Sequence, residues 1–279
     1  MKKISVAFDG LRFSEETMKY AIALASGSKA LLAGIFLDEY LYHSYPAFNT
    51  IESAGFQGFD IDLLREQDQN IRQKSISTFD AGCKRQQLNY TIHHDKNFAL
   101  EDLLKECIYS DLLIIGAGET FNRYKEIAPP AFIRHLLAAV QCPVLVVPDK
   151  YRATESIVLL YDGKPSSVFA IKMFNYMMPW MRELKTEVIT VRNPKETREF
   201  PDDPLIREFI KCHYPDVKYS LLQGNPEEKI PAYLKTSAPN SMVVLGAYDR
   251  SQVSRWLKTS MADILINELA APVFIAHQK

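Results

Sequence analysis

The sequence predicts an α/β protein built from two similar doubly wound domains. Three short apolar landmarks occur in the same order in each half of the chain, which indicates a duplicated domain. In the first half they are Ile4–Gly10, Asp111–Ala117 and Cys142–Val147. In the second half they are Ile157–Gly163, Ser241–Ala247 and Ala271–Ala276. Apolar strands separated by helices imply parallel pairing through right-handed crossovers, because a parallel connection needs about a dozen residues or more.

The first half alternates strands and helices. Ser14 is a predicted N-cap of the first helix, with two acidic residues after it and Gly27 as its stop. A long aromatic-rich segment, residues 38–60, follows the second strand. The apolar patterns predict strands at 4–8, 30–37, 90–94, 112–116 and 144–147, and later helices at 61–86, 99–108 and 130–140.

The second half repeats this order after a short polar linker, residues 148–155. It is about two dozen residues shorter between its matching landmarks, and we expect domains at 1–150 and 153–279. The patterns predict strands at 157–161, 187–191, 217–221, 242–246 and 273–276, and helices from Ser167, near 205–212, and at 226–234 and 256–269.

Composition excludes several classes of function. The chain has 279 residues and a net charge of −1, which gives no general attraction to nucleic acid or to an anionic membrane. Its four cysteines have no C-x-x-C spacing, so neither a zinc site nor a redox motif is indicated. No signal-peptide pattern opens the chain, and no run reaches the roughly 18 apolar residues of a membrane helix. We therefore expect a cytoplasmic protein.

Ligands of such sheets bind at the carboxyl ends of the strands, where the strand order reverses. Asp9 and Asp162 each end a first strand and precede a glycine, and Gly116 and Gly246 each end a fourth strand. Gly118 adds only a fragment of a glycine-rich loop. An Asp-Gly pair is also a common turn, so each aspartate is either a ligand contact or turn geometry.

These landmarks together resemble tandem universal stress proteins, over nearly the whole chain and in two copies. The resemblance rests on Val6–Gly10, Leu113–Ala117 and Cys142–Val147 and on their second copies. It implies a five-stranded sheet in the order 3-2-1-4-5 in each half. It also implies dimerisation through the last strand, which this chain would satisfy internally by pairing residues 144–147 with 273–276.

Many members of that family bind ATP through the pattern G-x-x-G-x9-G-(S/T), which begins at the end of strand 4. Glycines let the backbone approach the phosphates, and the following helix N-terminus donates N–H groups to them. Counted from Gly116, the pattern is degenerate, with Glu119 at the second glycine and Pro129-Pro130 at the end. Proline has no N–H and glutamate repels phosphate, so we expect no family-type ATP binding in the first half.

Counted from Gly246, the matching positions hold Asp249, Thr259 and Ser260. Part of the anion site is kept, because Thr259 has its amide and Ser260 has the hydroxyl of the pattern. Asp249 is unfavourable, although Arg250 and Arg255 offset its charge. The second half is therefore the candidate site for ATP or another adenine nucleotide, with Ser260 equally readable as an ordinary helix cap.

Other kinds of site have little support. The histidines of His93-His94-Asp95 point to opposite faces of a strand, so we expect no metal there. No G-x-S-x-G motif occurs and no catalytic residue is named, so we predict a stress-response binding or regulatory protein rather than an enzyme. The alternatives are a nucleotide-binding protein or slow ATPase using the second half, and a pseudodimer that recruits a protein partner through the aromatic segment 40–59. The sequence leaves open whether two chains form a homodimer.

Overall fold

A computed structural model of the chain describes residues 1–37, 61–95, 98–122, 126–195, 199–246 and 260–277, with the backbone alone at 61–65 and 95. The first half contains β1 (Lys3–Asp9), α1 (Glu15–Ser28), β2 (Leu31–Leu37), α2 (Ile61–Arg85), β3 (Tyr90–Asp95), α3 (Ala99–Ile108), β4 (Leu112–Gly116), α4 (Ala131–Ala139) and β5 (Val144–Val147). The second half contains β6 (Ser156–Leu160), α5 (Pro165–Met177), a 3-10 helix (Pro179–Glu183), β7 (Lys185–Arg192), α6 (Asp203–Lys211), β8 (Val217–Gln223), α7 (Pro226–Ser237), β9 (Ser241–Gly246), α8 (Met261–Glu268) and β10 (Val273–Ala276).

The ten described strands form one continuous sheet in the order β3-β2-β1-β4-β5-β10-β9-β6-β7-β8. Within each half, neighbouring strands are parallel and follow the order 3-2-1-4-5 counted from that half's first strand. The predicted fold class is therefore confirmed. The halves meet where β5 pairs antiparallel with β10, with Leu145 opposite Phe274. This pairing covers two strands that would otherwise be open sheet edges.

The core lies in two layers, one on each face of the sheet, because successive side chains of a strand point to opposite faces. In β4, Leu112 and Ile114 pack into one layer, and Leu113 and Ile115 pack into the other. All four are fully buried, as expected for parallel strands covered by helices on both faces. Strand β4, which ends at Gly116, is thus packed on both faces.

The start of α1 follows the predicted chemistry, whereas its end does not. Ser14 caps α1, and its hydroxyl accepts a 3.1 Å hydrogen bond from the backbone N–H of Thr17. The predicted stop at Gly27 was wrong, because α1 continues to Ser28 and ends on Lys29 in the left-handed conformation. A Cβ on Gly27 would lie 3.0 Å from Nε1 of Trp180, so the missing side chain serves close packing rather than termination.

Several boundaries in the second half also differ from the prediction, among them two helix starts. Helix α5 begins at Pro165, two residues before the predicted Ser167, because proline is well accommodated in the first turn of a helix. Helix α8 was predicted from residue 256, whereas the described helix begins at Met261 with Ser260 as its N-cap. Residues 256–259 lie outside the described residues.

The linker between the halves is fixed to α1. The Glu16 carboxylate accepts a 2.7 Å hydrogen bond from the backbone N–H of Tyr151. The Tyr20 hydroxyl accepts a 3.1 Å bond from the backbone N–H of Arg152, and the rings of Tyr20 and Tyr151 meet edge to face at 4.7 Å. Tyr20 is itself buried, so the linker is part of the packed structure.

No helix within the described ranges is both long enough and apolar enough to cross a membrane. All four cysteines are free thiols: Cys83, Cys107 and Cys142 are buried, and Cys212 is exposed.

Candidate functional site

Asp9 lies at the carboxyl end of β1, and its side chain is hydrogen-bonded within the turn that follows the strand. It is 1% exposed, and its Oδ1 accepts hydrogen bonds from the backbone N–H groups of Leu11 at 2.9 Å and Arg12 at 3.3 Å. The Arg12 side chain donates from Nε to the other carboxylate oxygen at 3.2 Å and reaches the Thr120 hydroxyl and the Asn122 carbonyl. Burial raises the pKa of Asp9, although these hydrogen bonds and the charge of Arg12 oppose the shift. The structure thus shows turn geometry here, and the ligand contact stays a prediction.

Glu119 fills the space beside the end of β4. A Cβ on Gly116 would lie 3.3 Å from Cγ of Glu119 and 3.1 Å from Oγ1 of Thr17, so the glycine is closely surrounded. Glu119 is 7% exposed. A Cβ on Gly118, by contrast, would meet only Oδ1 of Asp149, at an ordinary 3.6 Å. The strand-end position where the family pattern has a second glycine is therefore taken by a buried acidic side chain.

The charges around Glu119 favour its neutral form. Burial, together with the negative charges of Asp9 and Asp149, raises the pKa of Glu119 to about 8, while the charge of Arg12 opposes the shift. Glu119 therefore holds a proton at neutral pH, because a carboxyl group is neutral below its pKa. When ionised, it would add a second negative charge beside Asp9 at this strand end.

The start of α4 also carries an internal carboxylate. Pro130 is the N-cap residue and offers no side-chain hydrogen bond. Instead, Oε2 of Glu126 accepts a 2.7 Å hydrogen bond from the backbone N–H of Ala131, and Oε1 accepts from the Asn122 amide at 3.3 Å. The bond from Ala131 lowers the pKa of Glu126, which keeps the group ionised at neutral pH. A helix N-terminus attracts anions, and here the chain supplies its own.

Asp162, the counterpart of Asp9 in the second half, is exposed where Asp9 is buried. Asp162 lies just after β6, its side chain is 53% exposed, and it accepts a 3.0 Å hydrogen bond from the backbone N–H of Lys164. Gly163 has φ +83°, which favours glycine, and a Cβ there would lie 2.6 Å from Cβ of Pro201. This Asp-Gly pair is again a turn, but its carboxylate is exposed, unlike that of Asp9, and lies 3.4 Å from Nζ of Lys164.

Gly246 ends β9 against the first turn of α5. A Cβ on Gly246 would lie 2.2 Å from the carbonyl oxygen of Ser166 and 2.8 Å from the backbone nitrogen of Ser167. Only glycine fits this contact, so Gly246 has a structural role whether or not a ligand binds. The predicted site residues Asp249, Arg250 and Thr259 lie outside the described residues.

Ser260 caps α8 through a reciprocal pair of hydrogen bonds. Its hydroxyl accepts from the backbone N–H of Asp263 at 3.1 Å, and the Asp263 carboxylate accepts from the backbone N–H of Ser260 at 3.2 Å. This capping box satisfies two backbone donors of the helix start. It also places a carboxylate at the terminus where a phosphate would bind. The helix-cap interpretation of Ser260 is confirmed, and its role as a phosphate ligand stays a prediction.

Two residues that shape the first site were not identified from the sequence. Arg12 follows Asp9 by three residues, which places the two charges across one turn. Glu126 comes five residues before Ala131, in a stretch without a serine, threonine, asparagine or aspartate at the helix start. A helix start that lacks such a residue is the signal to look for a nearby carboxylate.

The remaining predicted features are the histidine pair of β3 and the aromatic segment. Nδ1 of His93 is 2.7 Å from a Glu106 carboxylate oxygen, so this histidine has a protein partner on α3. The described residues contain no group of three or more histidine, cysteine or acidic side chains placed to hold a metal ion. The aromatic segment 40–59 lies outside the described residues.

No protein-family model matches the sequence, and no curated protein matches it. Solved structures do match its fold. A universal stress protein from Archaeoglobus fulgidus DSM 4304 superposes with a TM-score of 0.72 at 12% identity, covering 99% of this chain and 98% of that one. A protein from Pseudomonas aeruginosa UCBPP-PA14, provisionally named a universal stress protein, gives 0.59 at 14% identity over 99% and 93% of the two chains.

A third match is the cytoplasmic domain of a prokaryotic cation chloride cotransporter, with a TM-score of 0.56 at 10% identity over 98% and 94% of the two chains. The full coverage of the Archaeoglobus protein means that both halves and their arrangement are shared with it. The chain therefore has the fold of a universal stress protein in two copies, joined in one sheet.

Proposed function

We propose that this chain is a tandem universal stress protein that acts as a stress-linked binding or regulatory protein, without catalysis. We further propose that its first half does not bind ATP in the manner of the family. The observation that carries this second proposal is the hydrogen bond that the Glu126 carboxylate accepts from the backbone N–H of Ala131. The units of this protein are proposed as residues 1–150 and 153–279, with the docked linker between them.

The first half supports this proposal through charge and geometry together. A triphosphate at the strand ends would meet Asp9, the Glu126 carboxylate and, once ionised, Glu119. Like charges held a few ångströms apart in a partly buried site repel strongly. The only cation described at that turn, Arg12, is engaged with Asp9, Thr120 and Asn122.

A nucleotide site in the second half is the alternative that a specific observation favours. Asp162 is exposed, whereas its counterpart Asp9 is buried. Helix α8 begins at this strand end as well, although Asp263 already binds the N–H of Ser260. If a nucleotide binds this chain, ATP or another adenine nucleotide in the second half is the expected case.

Isothermal titration of nucleotide-stripped protein with Mg-ATP and with AMP tests the proposal. We expect either no heat or binding of at most one equivalent that Asp162→Ala and Ser260→Ala remove. Asp9→Ala is the matched variant in the first half and should leave any binding unchanged. Binding that is lost in Asp9→Ala and kept in Ser260→Ala would contradict the proposal. Release of phosphate from ATP above the protein-free rate would contradict the non-catalytic part.

A protein partner is the third candidate. Its support is that the same fold serves as a cytoplasmic domain of a cotransporter, where a domain of this shape is joined to a larger protein. If the aromatic segment 40–59 recruits a partner, its deletion should abolish that binding while Asp162→Ala and Ser260→Ala leave it intact. Sedimentation of the full chain would then separate a monomeric pseudodimer from a homodimer.

A further inference from the structure

A small cavity lies between the ends of α5 and α6, at the amino end of the second half's strands. Its volume is about 120 Å³. Its polar lining comes from Asn175 near the end of α5, Arg182 in the 3-10 helix, and Cys212, His213 and Tyr214 just after α6. The cavity is separate from the strand-end residues discussed above, which lie at the carboxyl ends of the strands.

The side-chain oxygen of Asn175 has a hydrogen-bond partner, whereas its side-chain nitrogen has none among the described residues. The side chain is 8% exposed, and its Oδ1 accepts a hydrogen bond from the hydroxyl of Tyr214, which is 4% exposed. Nδ2 is buried and has no acceptor among the described residues. A buried donor without an acceptor costs about 1–3 kcal/mol, so such groups are uncommon unless something binds them. The amide thus lacks an acceptor that a ligand would supply.

The charge of the lining favours an anion. Arg182 is a cation, and the described residues of the lining include no carboxylate. Nε of Arg182 donates to Glu183 at 2.8 Å on the exposed side, and a guanidinium carries further N–H donors. Burial lowers the pKa of His213, so this imidazole is neutral at neutral pH and adds no charge.

We propose that this cavity binds a small oxyanion, a phosphate or carboxylate group, through Nδ2 of Asn175 and the guanidinium of Arg182. Arginine pairs with both groups through parallel N–H donors. The volume of about 120 Å³ limits the part of the ligand inside the cavity to a few heavy atoms. This site goes beyond the proposed function, because it involves neither the nucleotide pattern nor the strand ends.

Cys212 provides a reporter that does not depend on activity. It lines the cavity and is the exposed one of the four cysteines. Its thiol donates to the Glu208 carbonyl oxygen at 3.3 Å. A bound anion that covers the Cys212 sulfur should therefore slow its alkylation by iodoacetamide.

The experiment measures alkylation of Cys212 by peptide mass spectrometry in inorganic phosphate, in acetate, and in chloride at equal ionic strength. We expect saturable slowing by roughly threefold or more in phosphate or acetate. The stronger of the two identifies the source of the oxyanion. Equal rates in all three salts would overturn the proposal.

Three variants locate the site. Arg182→Gln removes the cation, and Asn175→Asp replaces the buried donor by an acceptor, so each should abolish the protection. Arg85→Gln, an exposed arginine at the end of α2, is the matched control and should keep it. Each variant is compared with itself across the three salts, and its melting temperature verifies folding. If Asn175→Asp does not fold, Arg182→Gln against Arg85→Gln decides, and protection that persists in Arg182→Gln overturns the assignment.

Discussion

The Glu126 carboxylate accepts a 2.7 Å hydrogen bond from the backbone N–H of Ala131, the first residue of α4. In the ATP-binding pattern of the family, the N–H groups of this terminus face phosphate. Here the donor is already used by a carboxylate of the same chain. The sequence pattern predicted the loss of the phosphate site from Glu119 and the two prolines, and the structure adds an internal anion that neither residue type suggests.

Removing this carboxylate should weaken the start of α4. We expect Glu126→Gln to lower the free energy of unfolding by about 0.5–1 kcal/mol at neutral pH, because it removes the favourable charge from the helix N-terminus. The bond from Ala131 lowers the pKa of Glu126. Its stabilisation is therefore present at neutral pH and is lost as the pH falls through the lowered pKa. Urea denaturation of both proteins between about pH 7 and about pH 3 should show the difference shrinking at the acid end. A constant difference would contradict this account.

Glu119 should give the opposite pH dependence. Burial raises its pKa to about 8 in the folded chain, whereas an unfolded glutamate titrates near its ordinary value of about 4.3. The folded state therefore holds a proton that the unfolded state has lost, and stability contributed by this group falls as the pH rises between those two values. We expect Glu119→Gln to flatten the decline in melting temperature between about pH 5.5 and about pH 8.5. Glu155→Gln, an exposed control, should leave the slope unchanged.

Gly34 and Gly118 form a matched pair for close packing. A Cβ on Gly34 would lie 2.6 Å from Cε1 of Phe79, a fully buried ring that packs edge-on to Phe8. We expect Gly34→Ala to lower the free energy of unfolding by about 1–3 kcal/mol, because the Phe79 ring is packed against other rings and has no space to move aside. Gly118→Ala adds only an ordinary 3.6 Å contact with Asp149 and should stay within about 0.5 kcal/mol of the parent. Similar values from chemical denaturation of both variants would argue against overpacking.

The capping box at α8 predicts a stability effect that is independent of nucleotide. Ser260→Ala removes the acceptor of the Asp263 N–H and should cost about 1 kcal/mol. Ser260→Thr keeps the hydroxyl and should recover most of the loss. Both are measured by chemical denaturation without nucleotide. A neutral Ser260→Ala would mean that the cap contributes little, and loss of ligand binding in that variant would then point more directly to a phosphate contact.

The fold was predictable because its signals are local. The run from Leu112 to Gly116 and the run from Val144 to Val147 have the observed strand bounds, since an uninterrupted apolar run is needed to bury both faces of a strand. The N-cap at Ser14 follows from the same local chemistry. The prediction that Gly27 ends the helix was wrong because this position is close to the Trp180 ring, which is distant in sequence and leaves little space for a side chain.

The site was less predictable, because its character depends on contacts between distant segments. Asp9 and Asp162 look alike in sequence, yet one is buried and the other is exposed. The difference at Asp9 comes partly from Arg12, which connects the β1 turn to Thr120 more than a hundred residues later. The residues next to each aspartate do not predict which of the two will be buried.

The antiparallel contact between β5 and β10 has a geometric consequence for anything this protein binds. Because the halves run in opposite directions across that contact, the strands of one half end at the rim where the strands of the other begin. The Asp9 turn and the Asp162 turn therefore face away from each other, at opposite rims of one sheet. A molecule bound at one rim leaves the other rim accessible, so the two halves offer separate binding surfaces to different ligands. Besides the ladder of Leu145 and Phe274, the halves touch where Gly27 packs against Trp180, so any influence between the two rims has several contacts to cross.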